Sequence, residues 1–344
     1  MTIRHPGDLV LWLAVLVPWS TKLLLATTNP GMAYVQTPMI LWLTALLATV
    51  AWWIGTKDYW LGMLLAWEVI HLLWQPTPSV FESVETMVLG AFLLQMVRQV
   101  PVTHQTMFRY ALIGTAILQT MWLSAQWLGM PTDTTLPAGT FGNKNYLGAY
   151  LAMVMPVTPW FLIPVVGYGL FLSKSMLAWT AACAGLWWRW RDWWALHAVC
   201  FLAGLLFLAS QHPGPGASWS ARWDAWTTAL DHLTFLGWVT GVGPGQWLHV
   251  YGSLPVSYPT SVEGYFAFAH SDLLQLVFES GLPALVCLGG WLWSQRALWR
   301  SPWAGSVVAL GILSLAFFPW HLVTTGVVAV AIVACATSTQ KEAV

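Results

Sequence analysis

The stretch Phe268–Trp293, FAHSDLLQLVFESGLPALVCLGGWLW, carries two kinds of sequence in one run. Its second half is apolar enough for the middle of a bilayer. Its first half holds His270, Ser271, Asp272, Gln275 and Glu279. Polar groups at membrane depth are costly and mark functional sites or internal pairs. Asp272 followed by Gln275 has the form of a helix-start box, which places His270 just outside the helix. Asp272 and Glu279 are seven residues apart and share a helical face. At about 1.5 Å per residue Glu279 lies about 10–13 Å deeper and needs an internal partner. It reads as structural, with an acid–base or histidine-orienting role as the alternative.

Working outward, the whole chain has the same character. Of 344 residues 58% are hydrophobic and 8% charged, and the mean hydropathy is +0.64. Soluble domains carry about 25% charged residues, so lipid is expected to be the solvent for most of this surface. The net charge is zero, which argues against a nucleic-acid partner. Cys183, Cys200, Cys287 and Cys335 lie in apolar runs without a CxxC and read as small buried hydrophobes. Tryptophans cluster where apolar runs end, as in WWRWRDWW at 187–194, a pattern of membrane interfaces. The first apolar run has no small-residue cleavage site and is expected to be retained as a helix.

A spanning helix needs about 20 mostly apolar residues. Windows of this kind fall at 9–28, 38–54, 59–75, 83–98, 108–128, 145–157, 159–172, 176–188, 193–210, 270–292, 303–318 and 321–338. The expected fold is therefore all-α: a polytopic membrane helix bundle, one integral domain over 1–344, with about twelve transmembrane helices. The windows 145–157, 159–172 and 176–188 are short, and Pro156, Pro159 and Pro164 lie among them. The one long polar segment, 211–269, is expected to be a structured outer loop. With both termini in the cytoplasm, Arg4, Lys57, Arg98, Arg109, Arg189, Arg191, Arg296, Arg300 and Lys341 all fall inside. These are nine of the thirteen basic residues, as the positive-inside rule requires.

The four exceptions, Lys22, Lys144, Lys174 and Arg222, fall on or near the outer side. A lysine within a span, as Lys22 is, costs about 2.5–3.5 kcal/mol on insertion scales. Snorkelling explains any one of them; for the set, a shared anionic ligand such as a phosphate or diphosphate is favoured. Arg222 sits in SWSARWDAWTTALDHL (218–233), where Trp219, Trp223, Trp226, Leu230 and Leu233 form one helical stripe. The stripe predicts an amphipathic helix lying on the membrane or capping the bundle. The GVGPGQW turn (241–247) follows, weak as a motif by itself. Glu68 and His71, one turn apart in the third window, read as a buried pair or a proton path.

Four stretches together resemble one family. GTFGNKNYLGAYLAMVMP (139–156), SKSMLAW (173–179), ARWDAWTTALDHLTFLGWVTGVGPGQW (221–247) and AHSDLLQLVFESGLPA (269–284) are similar to motifs of the O-antigen ligases and related bacterial polymerases. The resemblance covers about 139–340 and leaves 1–130 without an assigned role. Lys144 stands where the family has proline, LPA (136–138) replaces a basic residue, and Ala284 departs from the pattern after Gly281.

The resemblance implies transfer of a glycan from an undecaprenyl-diphosphate-linked donor to a hydroxyl acceptor, a saccharide or lipid A core. The reaction would take place on the outer face of the bacterial plasma membrane, within membrane lipid. It implies a metal-independent, inverting reaction with no cofactor. Arg222, with its planar fork, is the first candidate for the diphosphate, followed by Lys174, Lys144 and Lys22. His270 is the expected general base, with Ser271 orienting it and Asp272 and Glu279 in support. Asn143, Asn145 and Tyr146 bond either sugar or their own turn. His249, like His232 and His212, is a solvated loop residue or a sugar contact. Repeat-unit polymerisation and transfer to protein serine or threonine share the donor and stay open. A lipid-linked saccharide transporter is the rival from another class, and would need polar groups through the midplane.

Overall fold

The computed structural model describes residues 58–75, 77–130, 137–191, 216–253 and 268–338, with Asp8 and residues 11–12 and 14–16. Lys22, the windows 9–28, 38–54 and 193–210, and residues 254–267 lie wholly or largely outside this set. Among the described residues every regular element is helical, so the chain is all-α. The α-helices are α1 Tyr59–Trp74, α2 Pro78–Arg98, α3 Val102–Trp127, α4 Lys144–Val154, α5 Ile163–Leu172, α6 Met176–Arg189, α7 Gly216–His232, α8 Phe235–Thr240, α9 Trp247–Ser253, α10 Asp272–Ser294, α11 Ala304–Ala316 and α12 Val323–Ala336. By length and composition, Ser79–Arg98 and Asp272–Ser294 can cross a membrane. Tyr59–Leu73, Trp160–Leu172, Ala304–Ala316 and Thr324–Ala336 are shorter apolar helices.

Local chemistry sets the breaks. Thr77 caps α2, its hydroxyl accepting from Val80 N at 3.4 Å, with proline in the first turn. The short windows are separate helices: α4 tightens into a 3-10 turn over Met155–Val157, and Pro159 precedes another over Trp160–Leu162 before α5. Proline ends helices in this way because it lacks the N–H that the preceding turn needs.

Contacts at the helix ends sort them into two faces of one bundle. At one face Arg98 of α2 pairs with Asp58 before α1. It also donates to Thr337 after α12 at 2.7 Å and to Gln295 after α10 at 3.1 Å. Gln105 of α3 reaches Ser338 there, Trp188 of α6 meets Trp299, and Arg109 and Arg189 repel each other. At the opposite face Trp127 of α3 bonds Leu172 of α5 at 3.3 Å, and Arg222 of α7 meets the end of α11. Among the described residues, Arg98, Arg109, Arg189, Arg191, Arg296 and Arg300 lie towards the first face. Lys144, Lys174 and Arg222 lie towards the second.

The helix quoted first is broken in the middle. Gly281 has φ 74° and ψ 179°, and Pro283 follows. Pro283 has no N–H for the carbonyl of Glu279, and the break removes the usual donor to Phe278. The outer segment supplies both: Val242 N donates to Phe278 O at 2.9 Å and Gly243 N to Glu279 O at 2.8 Å. The Glu279 carboxylate accepts from Gly245 N at 2.9 Å, Trp247 N at 3.0 Å and Gln275 Nε2 at 3.0 Å. The internal partner of Glu279 is thus the backbone of the GVGPGQW turn. Trp67 Nε1 donates to Ser280 O at 2.6 Å and Ser280 Oγ to Glu68 at 2.9 Å, while His71 Nε2 lies 2.6 Å from Thr240 O. Glu68 and His71, read as a pair, serve the same junction through separate partners.

Two details differ from the sequence reading. Ser271, not Asp272, caps α10: its backbone is extended and its hydroxyl accepts from Leu274 N at 3.2 Å. Gln275 still reaches back, accepting from Ala269 N at 3.1 Å. The cap shifts by one because Asp272 is engaged elsewhere, its amide on Phe317 O and its carboxylate on His321. On α7 the packed stripe is Ala221, Ala225, Ala229 and then Leu233, whereas Trp223 is exposed. Alanine lets α7 approach closely, so it caps a small core with Trp247, Tyr251, Ala269 and Phe278.

The junction makes a specific demand on Gly241. Its φ is +71°, and a Cβ there would stand 2.1 Å from the Glu279 carbonyl oxygen. Gly241→Ala is expected to destabilise the protein by at least about 2 kcal/mol from strain and lost docking. Gly289 lies in α10 with open space beside it, where a Cβ would meet nothing within 4 Å, and Gly289→Ala is expected to be neutral or stabilising. Thermal unfolding of the two purified variants checks the contrast.

Candidate active site

The site is built on the point where α11 stops. Phe317 leaves the helix in extended form, φ −150° and ψ 177°, and Pro319 two residues later forbids resumption of the turn. A helix end leaves carbonyls without intrahelical partners. Ala316 O accepts from Arg222 Nη1 at 3.2 Å, and Phe317 O from Asp272 N at 3.1 Å. Phe317 and Phe318 then gather side chains from two further stretches, α4 and 268–270. Tyr146 of α4 lies 5.8 Å from Phe317 and 6.2 Å from Phe318 between ring centres. His270 stands edge-on to Phe318 at 4.8 Å, and Phe268 stacks on Phe318 at 4.9 Å.

His270 has φ +54°, a left-handed conformation that is uncommon for a residue with a side chain. It is half-buried. Burial pushes its pKa down from 6.5 to about 4, and the positive charge of Arg222 adds to the shift. The imidazole is therefore uncharged at neutral pH. Burial also lowers the Arg222 pKa, although a guanidinium stays protonated at any physiological pH. Among the described residues no carboxylate pairs with Arg222, and its buried Nε has no hydrogen-bond partner. A buried donor of this kind favours an acceptor, above all an anionic one.

The remaining sequence-derived residues divide. Ser271 is a cap, and Glu279 is locked in the junction. Asn143 caps α4, its side chain accepting from Asn145 N at 2.8 Å, so it bonds its own turn. Lys144 opens α4, half-buried, two residues before Tyr146, which reaches the phenylalanines. Lys174 is exposed in the Ser173–Ser175 turn with φ +51°, its ammonium 4.4 Å above the Trp127 ring. That turn packs on Gly148, one helical turn below Lys144. Of the cations, the one whose charge acts on His270 is Arg222. His249 and His232 are exposed. Among the described residues no three His, Cys, Asp or Glu side chains stand close enough to hold a metal.

One pair was not read from the sequence. His321, in the 3-10 turn Pro319–His321, places Nδ1 2.8 Å from Asp272 Oδ1. Its ring lies 5.2 Å from Phe268, so it flanks the same aromatic pair as His270. The signal that singled out His270, a histidine at the outer mouth of an apolar window, applies equally to His321. Compared with protein-family models and with curated proteins, the chain matches none.

The charge of Arg222 should be legible in the titration of His270. Arg222→Ala is expected to raise the His270 midpoint from about 4 towards its ordinary 6.5, measured by histidine NMR. The sign for stability follows from linkage. A histidine with a depressed folded-state pKa binds fewer protons folded than unfolded between these two values. Wild-type stability therefore falls as pH drops from 6.5 towards 4, and the variant should show a shallower fall.

Proposed function

We propose that the protein transfers a glycan from an undecaprenyl-diphosphate-linked donor to a hydroxyl acceptor at the outer face of the bacterial plasma membrane. Ligation to lipid A core or another saccharide is the first choice of acceptor chemistry. The observation that carries the reading is the meeting of Arg222, its Nε without a partner among the described residues, with an uncharged His270 at one end of the bundle. A lipid diphosphate needs fixed positive charge where its leaving oxygen develops negative charge. The guanidinium fork of Arg222 matches two phosphate oxygens. His270 presents a neutral imidazole that can bond the approaching hydroxyl. Displacement by that hydroxyl in one step inverts the anomeric centre and calls for no metal.

Two features support the membrane setting, which is proposed with about twelve spans and both termini cytoplasmic. Six described basic residues at one face against three at the other fit an inside and an outside. Side chains on the helix bodies such as Leu89, Phe92, Met121, Phe171, Val286 and Leu315 are about half exposed, as groups facing lipid would be. Phe235, Leu236 and Trp223 add exposed apolar groups beside the site, suited to a headgroup boundary. A transport path through the midplane finds little support, because Glu68, His71 and Glu279 are engaged at the loop junction. Polymerisation of repeat units and transfer to protein share the donor chemistry and differ only in the acceptor.

Reconstitution with undecaprenyl-diphosphate glycan and saccharide, lipid A core and peptide acceptors tests the reading. Arg222→Ala is expected to lower transfer by about 100-fold or more, the scale of losing one preorganised donor. Arg222→Lys should recover part of it, keeping the charge without the fork. His270→Ala should lose activity as well. Full transfer by both alanine variants would overturn the site.

A further inference from the structure

The mouth holds a second imidazole with the opposite electrostatic setting. His321 Nδ1 lies 2.8 Å from Asp272 Oδ1; facing the ionised carboxylate, Nδ1 carries the proton and Nε2 is the basic nitrogen. Asp272 is itself held: it is 8% exposed, and its amide is bonded to Phe317 O. The His321 side chain is 31% exposed, open enough for a hydroxyl to reach it. We propose that His321 is the group that takes the proton from the attacking hydroxyl, with Asp272 as its positioning residue. The inference rests on the transfer reading and refines it, leaving His270 to orient the hydroxyl beside Arg222.

The contrast between the two rings decides the assignment. A proton placed on His270 would stand beside a guanidinium, and the ring already resists protonation down to about pH 4. A general base works best with a pKa near the working pH. For His321 burial opposes the charged ring, but the Asp272 bond and charge outweigh it, with Glu279 adding, and the pKa rises. The charged groups that act on His321 are thus the two carboxylates of α10, while Arg222 of α7 acts on His270. The step balances as follows. The hydroxyl oxygen bonds the anomeric carbon as the bond from that carbon to the diphosphate oxygen breaks. The electron pair leaves on the diphosphate, beside Arg222. The hydroxyl proton passes to His321 Nε2, and the imidazolium stands against Asp272 until water removes the proton.

The test compares pH–rate profiles of transfer for the wild type, His321→Gln, Asp272→Asn and His270→Gln in the reconstituted system. Carbethoxylation of each histidine is followed against pH on the wild type and Asp272→Asn. His321→Gln is expected to lose about 100-fold or more together with the acid limb of the profile. Asp272→Asn should move that limb to lower pH and shift the His321 carbethoxylation midpoint with it. His270→Gln should lower the rate and leave the limb in place. A limb that disappears with His270 and not with His321 would overturn the inference and leave the transfer reading standing. So would a His321 midpoint below that of His270 in the wild type, a readout that needs no variant to fold. A wild type that transfers nothing to any acceptor would remove the transfer reading, and the inference with it.

Discussion

Everything at the Arg222 end of the bundle depends on the broken helix α10. Unpaired carbonyls in an apolar surrounding are costly, on the order of 1–3 kcal/mol each. Gly281 and Pro283 expose two of them, and the amides of Val242 and Gly243 cover them. The contact is main chain to main chain, so it tolerates no side chain between the strands of backbone. Gly281 is needed on the helix side for the same reason as Gly241 on the loop side: a Cβ there would stand 2.3 Å from Val239 O. The Glu279 carboxylate then binds the next two free amides of the turn, at Gly245 and Trp247. A charged acceptor makes the stronger kind of hydrogen bond, and here it fastens a loop far away in sequence to the interior of the bundle.

From that fastening the site follows in order. The turn delivers Trp247 into a core with Phe278, Tyr251 and Leu233. On that core rests the alanine face of α7, and the Trp226 indole donates to the carbonyl of Ala269, next to His270. With α7 fixed along this line, Arg222 reaches the free end of α11, near enough for its charge to act on the His270 imidazole. A cation and a histidine separated by 48 positions are thus brought together by hydrogen bonds that neither residue makes. The two histidines of the mouth then part company through their neighbours. One faces a guanidinium and the other a carboxylate, and opposed environments of this kind assign different tasks to like groups.

Much of this was legible because it is local or periodic. Among the described residues the apolar windows coincide with helices, and the basic residues divide between the two ends of the bundle. The polar start of α10 pointed to His270. The cap was displaced by one residue because Ser271 and Asp272 are both good caps and only a distant partner, His321, decides between them. On α7, Leu230 and Leu233 of the expected stripe pack on the core, but Trp223 is exposed and alanines form the rest of the packed face, because large aromatic residues outweigh alanines in a hydrophobicity pattern while close packing favours the smaller side chain. The turn GVGPGQW was weak as a motif because its amides acquire meaning only from the carbonyls that receive them. The Phe317–Phe318 hub and the His321–Asp272 pair join segments about 50 residues apart or more, and no spacing rule reaches that far.

The three described cations at this end of the bundle, Lys144, Lys174 and Arg222, differ in what already holds them, and this orders them as ligands for an anion. Lys174 has an aromatic face beneath it, an arrangement worth about 0.5–1 kcal/mol when exposed, which an anion could share without displacing it. Lys144 stands at the first turn of α4, where the helix dipole is positive and a cation is disfavoured. An anion at that edge would relieve the repulsion, and Tyr146 connects the edge to the phenylalanine hub. Among the described residues Arg222 makes one hydrogen bond, to a carbonyl, and its buried Nε has no partner; burial lowers its pKa. Among those residues, its desolvation is met with little compensation. Of the three, Arg222 has most to gain from an incoming diphosphate, and it is also the one placed against the histidine that would meet the acceptor.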